Sequence, residues 1–236
     1  MMPGIGRPWW EKATPDDVVT VGAQLGRPAT GLLAVAARCR FGQPAVVVTA
    51  PAVEGPDGVL EPFPTTFWLT CPYLAEEVSR LESQGWIARL SGEFKRDPQK
   101  AAALRAAHEG AAELRRQMVT PPIMERLERV SPHAVRRLAS AGVAGSRHFE
   151  AVKCLHAHLA DHLGRGGNPV GRRVVELLDE HGVTLSGSPA CRTEQAGACP
   201  ARLPEGRSVS YNEGRSPILQ QVFEDAGVAK RQTRGT

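Results

Sequence analysis

The sequence predicts an α+β fold in which a small antiparallel three-stranded meander packs against five or six helices. Short apolar and β-branched runs lie close together in the first third of the chain, and helical periodicity dominates after them. Aromatic residues make up only 5% of the chain, so Ala, Val and Leu supply most of the apolar content. At 236 residues, the chain is long enough for one domain with its own core, followed by a tail.

Three runs predict the strands of the meander. Residues 31–39 (GLLAVAARC) are apolar, residues 45–50 (AVVVTA) are β-branched, and residues 65–70 (TTFWLT) continue that character. A turn at 40–43 separates the first two runs, and a Pro- and Gly-rich segment at 51–64 separates the last two. Such connections join neighbouring antiparallel strands.

Prolines mark the predicted helix starts. Most of them follow a small polar residue that can accept from unpaired backbone N–H groups, which is typical of a helix N-terminus. The predicted helices span residues 15–25, 72–90, 98–118, 121–130, 132–141, 149–163 and 169–181.

Composition divides the chain into three parts. Residues 1–13 are predicted to be a flexible N-terminus, and residues 14–184 a single α+β domain. After it, Gly, Ser, Pro, Arg and Glu replace the aliphatic periodicity. Residues 185–236 are therefore predicted to be a disordered tail of low order, with a short helix at 217–226.

Charge and cysteine content narrow the classes of function. The net charge is only +4, and acidic residues alternate with basic ones, so no one-sign stripe favours nucleic acid. Five cysteines without a regular spacing do not indicate a disulfide scaffold. Neither a signal peptide nor an apolar run of membrane-spanning length is visible. We therefore expect a cytoplasmic protein that does not enter membranes.

Cysteine and histidine residues predict a metal site. Cys39 and Cys71 close the first and third predicted strands, so an up-down-up meander places them on one rim of the sheet. Cys154 begins a segment that holds three of the seven histidines. Thiolate and imidazole groups bind zinc, and three thiolates with one imidazole make a tetrahedral site. The candidate ligands are Cys39, Cys71, Cys154, His156, His158 and His162.

Two other interpretations of the cysteines stay open. The three cysteines could be small buried apolar residues, which is common for thiols. Cys71 could instead be a reactive thiol, because it precedes Pro72 at a predicted helix N-terminus. On a helix over 149–163, Cys154 and His158 are an i, i+4 pair, whereas His156 and His162 flank the apolar stripe.

A glycine-rich turn precedes the last predicted helix. Gly166, Gly167 and Asn168 could offer backbone N–H groups to an anion, with Arg172 nearby as a cation. The turn lacks the Gly-Lys-Ser/Thr sequence of a nucleotide P-loop, and no strand precedes it. It could equally be a helix–helix connector, with a glycine C-cap and Asn168 as N-cap.

Four segments together resemble the bacterial domain of unknown function 501 family. They are GLLAVAARC at 31–39, TTFWLTCP at 65–72, KCLH at 153–156 and NPVG at 168–171. The resemblance extends over residues 18–182 and implies a cytoplasmic bacterial protein without an assigned activity. Family members carry a Cys-Pro-Cys-Gly turn after the first strand, where this chain has Cys39-Arg40-Phe41-Gly42. The resemblance favours His156 as the companion of Cys154, whereas helix geometry favours His158.

The leading hypothesis for function is therefore a non-catalytic domain, with a structural or interaction role, stabilised by a metal such as zinc. A second hypothesis is an enzyme with its Cys/His site at the sheet rim, acting on an anionic small molecule. A third and weaker hypothesis is nucleic-acid binding through arginines of the later helices. These arginines are Arg126, Arg129, Arg136, Arg137 and Arg147.

Overall fold

The computed structural model describes residues 10–55, 58–130 and 132–185. The α+β class is confirmed, because helices pack against a small antiparallel sheet. The predicted tail after Leu185, with its helix at 217–226, lies outside the described residues. None of the described helices is both long and apolar enough to cross a lipid bilayer.

The sheet contains the predicted meander. The strands of the described residues are β1 (Glu11–Lys12), β2 (Leu32–Arg38), β3 (Pro44–Thr49), β4 (Ala52–Glu54), β5 (Leu60–Pro62) and β6 (Phe67–Leu69). Strands β2, β3 and β6 are the three that the sequence predicts, and each neighbouring pair is antiparallel. All six residues of β3 are buried, which accounts for its continuous apolar and β-branched run.

Three short strands lie outside the predicted meander. Glu11 pairs with Val35, so β1 adds a fourth strand beside β2. The predicted flexible N-terminus, residues 1–13, therefore ends in a strand, and residues 1–9 lie outside the described residues. Strands β4 and β5 form a separate hairpin within the segment 51–64. These strands have two or three residues, too few to show the alternation by which a sequence reveals a strand, whereas the equally short β6 lies in a longer run of β-branched and aromatic residues at 65–70.

The described residues contain eight α-helices, where the sequence predicted five or six against the meander. They are α1 (Pro15–Leu25), α2 (Pro72–Ser83), α3 (Trp86–Arg96), α4 (Pro98–Met118), α5 (Pro121–Val130), α6 (Pro132–Ser140), α7 (Leu155–Arg165) and α8 (Pro169–Glu180). Six of the eight begin at a proline, as predicted. The two exceptions are α3, which the sequence predicts as part of one helix with α2, and α7, which it predicts to begin at residue 149.

Local backbone geometry explains both misplaced starts. The predicted helix over 72–90 is divided in two, because Gly85 has φ +84°, which interrupts a right-handed helix. The predicted helix over 149–163 begins six residues late, because Cys154 is extended, with φ −156° and ψ 122°. Helix α7 therefore starts at Leu155 and continues to Arg165.

Helix α7 joins the two apolar clusters of the core. Leu155 and Leu159 belong to the cluster formed with α2, α3 and α8. Ala160 belongs to the cluster that contains the sheet, α5 and the C-terminal end of α4. Gly164 lies against the sheet so closely that a Cβ atom there would be 2.4 Å from the ring of Phe67. The helix is therefore buried on several sides, and its polar residues need partners inside the protein.

A buried polar network fixes α7 to α8 and α4. Arg165 makes a bidentate ion pair with Asp161, with distances of 2.7 and 2.8 Å, and donates to the carbonyl of Ala107 on α4 at 2.7 Å. Asn168, at the N-cap of α8, donates to Asp161 at 2.9 Å and accepts from the N–H of Gly171 at 2.9 Å. These contacts satisfy charged groups that would otherwise be costly to bury.

Two buried histidines lie next to this network. His158 contacts the side chain of Asn168 through Nδ1, and its ring meets the ring of His108 at 5.4 Å between centroids. His108 accepts from the N–H of Val143 through Nδ1 at 3.0 Å. Burial, together with the charge of Arg165, lowers the pKa of His108 to about 4 and that of His158 to about 3. Both rings are therefore neutral at pH 7.

We expect Gly171→Ala to destabilise the fold by about 3 kcal/mol or more, near or above the upper end of typical overpacking costs. An added Cβ would lie 2.2 Å from the carbonyl oxygen of His158, so α7 and α8 would have to separate. Gly22→Ala in α1 is the matched control, because its Cβ would meet nothing closer than 3.6 Å. The control should be neutral or more stable by roughly 0.5–1 kcal/mol. Urea denaturation measures both, and equal stability of the two variants would contradict this packing.

We expect the free energy of unfolding to fall with acidity between pH 6.5 and 4.5. A histidine with a lowered folded pKa binds protons more readily when unfolded, so each contributes a loss of roughly 1.4 kcal/mol per pH unit in this window. His108→Gln should make the pH slope of stability shallower, whereas His148→Gln, at an exposed position, should leave it unchanged. Denaturation curves at several pH values measure the slope, and an unchanged slope in His108→Gln would refute the assignment.

Candidate metal centre

Glu82 and Cys154 meet at the start of α7. Cys154 occupies the N-cap position, but its side chain makes no capping hydrogen bond. The carboxylate of Glu82, near the end of α2, accepts from the N–H of Leu155 at 2.6 Å instead. A carboxylate at this position satisfies an unpaired N–H group and lies at the positive end of the helix dipole. A side chain of α2 therefore caps the N-terminal end of α7, although the two helices are far apart in the sequence.

His156 completes the cluster. Its Nδ1 atom lies 3.2 Å from Oε1 of Glu82 and 3.9 Å from Sγ of Cys154. Its Nε2 atom lies 3.0 Å from the carbonyl oxygen of Ala75 and 3.3 Å from Oγ of Ser79. Because a carbonyl can only accept, Nε2 is protonated whether the ring is neutral or charged, and Nδ1 faces the thiol and the carboxylate.

The geometry of the cluster is compatible with a metal site. One ligand atom from each of Glu82, Cys154 and His156 lies within 4.8 Å of the other two. Ligand atoms around a tetrahedral zinc ion are roughly 3.3–3.6 Å apart, given bonds of about 2.0–2.3 Å. The side chains of His156 and Glu82 are 26% and 25% exposed, so an ion from solvent can reach them. This group could hold a metal ion.

The electrostatics of the cluster favour a positive charge. Burial opposes protonation of His156, but hydrogen bonds to Cys154 and Ala75 and the charge of Glu82 raise its pKa to about 9. Without an ion, the ring therefore carries the positive charge itself. A metal ion would replace that proton with a charge of its own.

The structure places Cys39 and Cys71 elsewhere. As the strand order predicts, β2 and β6 flank β3, and both cysteines lie at the same end of the sheet. Both are buried in the apolar cluster that α2, α3, α7 and α8 share. Among the described residues, neither joins the ligand group around Cys154. Cys71 lies at the N-cap of α2 without a side-chain capping bond.

His158 and His162 also lie apart from Cys154. The sequence argument paired the side chains of Cys154 and His158 on one helix, but Cys154 is the extended N-cap residue of α7, and the N–H of His158 donates to its backbone carbonyl at 3.2 Å. His158 is fully buried and contacts Asn168. His162 is partly exposed, and burial lowers its pKa. Of the histidines that the sequence singled out, the structure brings His156 next to Cys154.

The glycine turn connects two helices. Gly166 donates to the carbonyl of His162 at 2.9 Å, and Gly166 and Gly167 have φ of +77° and +74°. The side chain of Asn168 is fully buried and already bonded to Gly171 and Asp161. Arg172 is exposed. These contacts are those of the helix–helix connector, and binding of an anion at this turn stays a prediction.

Sequence reasoning missed Glu82. It lies 72 residues before Cys154, on an amphipathic helix whose acidic residues resemble an ordinary solvent-facing surface. No spacing rule links it to a later cysteine. Its role depends on how α2 packs against α7, which a single sequence does not reveal.

A comparison with protein families places the chain among related sequences. A family model described as protein of unknown function (DUF501) matches residues 35–176, which is more than half of the chain. The matched region includes Glu82, Cys154 and His156. No curated protein and no solved structure matches the chain. The second half of β2, the strands β3 to β6, most of the helical core and the candidate metal centre thus lie within one recognised domain, and the chain belongs to the DUF501 family of unknown function.

Proposed function

We propose that this protein binds a transition-metal ion, with zinc the best match, through Glu82, Cys154 and His156. The ion ties α2 to the first turn of α7. The observation that carries the proposal is the convergence of a carboxylate, a thiol and an imidazole, from two helices, within 4.8 Å.

The donor set supports zinc over the hard cations. Sulfur and imidazole ligands suit zinc and its transition-metal neighbours, whereas magnesium and calcium prefer oxygen. The carbonyl of Ala75 holds the distal ring nitrogen of His156, as outer groups commonly do for ligating histidines. Three protein ligands leave a fourth position for water or another ligand.

A metal ion at this site would have the role of stabilising the fold of the domain or an interaction surface on it. The hydrogen bond between Glu82 and Leu155 already joins segments that are 73 residues apart, and an ion would strengthen the same junction. In the described part of the chain, Cys39, Cys71 and Cys154 form no disulfide. Cysteines that are not in disulfides fit a reducing compartment, so we assign the protein to the cytoplasm as part of this proposal.

We expect Cys154→Ser and Glu82→Gln each to weaken zinc binding by about 100-fold or more. Loss of a ligand should exceed the 10–100-fold effect typical of an outer group. Glu82→Gln keeps an oxygen that can accept from Leu155, so α7 should remain capped. Competition with a chromophoric chelator measures the affinity. Glu76→Gln, an exposed carboxylate on α2, is the matched control and should bind zinc normally.

Cys39→Ala separates this proposal from the site predicted from sequence. If zinc binds at Glu82, Cys154 and His156, this variant should keep its affinity. A large loss in Cys39→Ala would instead favour the three-thiolate site of Cys39, Cys71 and Cys154. Wild-type protein that binds no zinc at neutral pH would end both proposals.

We expect zinc affinity to fall at least about tenfold for each pH unit from pH 8 to pH 6. The raised pKa of His156, about 9, means that zinc must displace a proton from Nδ1 throughout this range. Calorimetry in buffers of different ionisation enthalpy counts the protons released. Binding that releases no proton at pH 7 would show that His156 is not a ligand.

A further inference from the structure

A small cavity lies between α4, α7, the start of β6 and the short 3₁₀ turn Val143–Gly145. Its volume is about 10 Å³, which suits one particle the size of a water molecule or a halide ion. Its walls are largely apolar and include Phe67, Ala111, Val143 and Ala157. None of the residues of the candidate metal centre lines it.

Two buried donors line the cavity. Arg115 is 1% exposed and Thr66 is 6% exposed. Arg115 uses its terminal nitrogens to bind carbonyl groups at the end of α6, including that of Ala141 at 2.5 Å. Its Nε atom and Oγ1 of Thr66 have no hydrogen-bond partner within the residues that the structure describes. A particle that accepts two hydrogen bonds would satisfy both groups.

The surrounding charges are unbalanced. Arg115 and Arg165 are two guanidinium groups beside one buried carboxylate, that of Asp161. The nearby rings of His108 and His158 are neutral at pH 7, because burial lowers the pKa of each. These two guanidinium groups and one carboxylate sum to one excess positive charge, which a single negative ion would balance.

Among the residues that line the cavity, Asp161 is the one whose negative charge opposes binding of an anion. Its carboxylate lines the cavity, but Arg165 binds both of its oxygens and Asn168 binds one of them. These three bonds pair the carboxylate with groups of α7 and α8, and among the described residues Arg115 makes no ion pair with a carboxylate. A second feature of the site is Ala144 on its rim, held at φ +57°, a conformation that non-glycine residues rarely adopt.

We propose that this cavity binds one monovalent anion of halide size, with chloride as the physiological occupant, between Arg115 Nε and Thr66 Oγ1. The small volume favours an anion of this size over phosphate or sulfate. A water molecule has the right size but would leave the excess positive charge unbalanced. The site is independent of the proposed metal centre.

Thermal unfolding of the full chain in sodium chloride and in sodium gluconate, at equal ionic strength, tests the proposal. Gluconate is too large to enter, so only chloride should stabilise the protein specifically. We expect Tm to be about 5–10 °C higher in chloride at about 100 times its Kd, and the increase to saturate. Equal Tm in the two salts would overturn the proposal and indicate a water molecule in the cavity.

Thr66→Val tests the binding residue without removing Arg115, whose loss would also release the carbonyl groups at the end of α6. The variant keeps the side-chain shape but lacks the hydroxyl, so the difference in Tm between the salts should shrink by more than half. Thr66→Ser should retain the difference. Thr70→Val is the matched control, because Thr70 is also buried but does not line the cavity. An undiminished difference in Thr66→Val would place the chloride effect elsewhere.

Bromide replaces chloride in crystals and can be located by anomalous scattering. A bromide peak within hydrogen-bond distance of Arg115 Nε and Thr66 Oγ1 would support the site. Peaks confined to the surface would mean an adventitious ion only and would overturn the proposal.

Discussion

The buried ion pair between Asp161 and Arg165 is the interaction on which the arrangement of this domain depends. It lies inside helix α7, and its bonds extend to Asn168 at the start of α8 and to Ala107 on α4. Asp161 is buried, so removing Arg165 would leave its carboxylate without a cation partner, which typically costs about 3–5 kcal/mol. Because α7 contributes to both apolar clusters, an error in its position would disturb most of the core.

This anchoring also positions the candidate metal centre. With α7 fixed at its C-terminal end by the network, its N-terminal end meets α2, where Glu82 accepts from Leu155. His156 follows one residue later and faces Ala75 and Ser79 of the same helix. The three ligand atoms are therefore brought together by packing between two helices, and no single loop encodes them.

The sequence predicts much of the fold, because several signals are local. A proline after a small polar residue locates six of the helix starts, and Thr14 and Asp97 make the side-chain caps that the pattern implies. The β-branched run at β3 identifies the central strand. The predictions fail at α7, where no proline marks the start and the cap comes from a distant helix. The sequence predicts only part of the candidate site for the same reason, because Cys154 and His156 lie two residues apart, whereas Glu82 lies 72 residues before Cys154.

The long-range capping of α7 has a consequence for the order of folding. Its first turn lacks a cap of its own, since Cys154 provides no side-chain hydrogen bond. The partner is 73 residues away, and closing a loop of that length costs roughly 4 kcal/mol of chain entropy. That turn therefore reaches its native state only after α2 has docked, and nascent chains must complete both helices before the thiol, imidazole and carboxylate can meet.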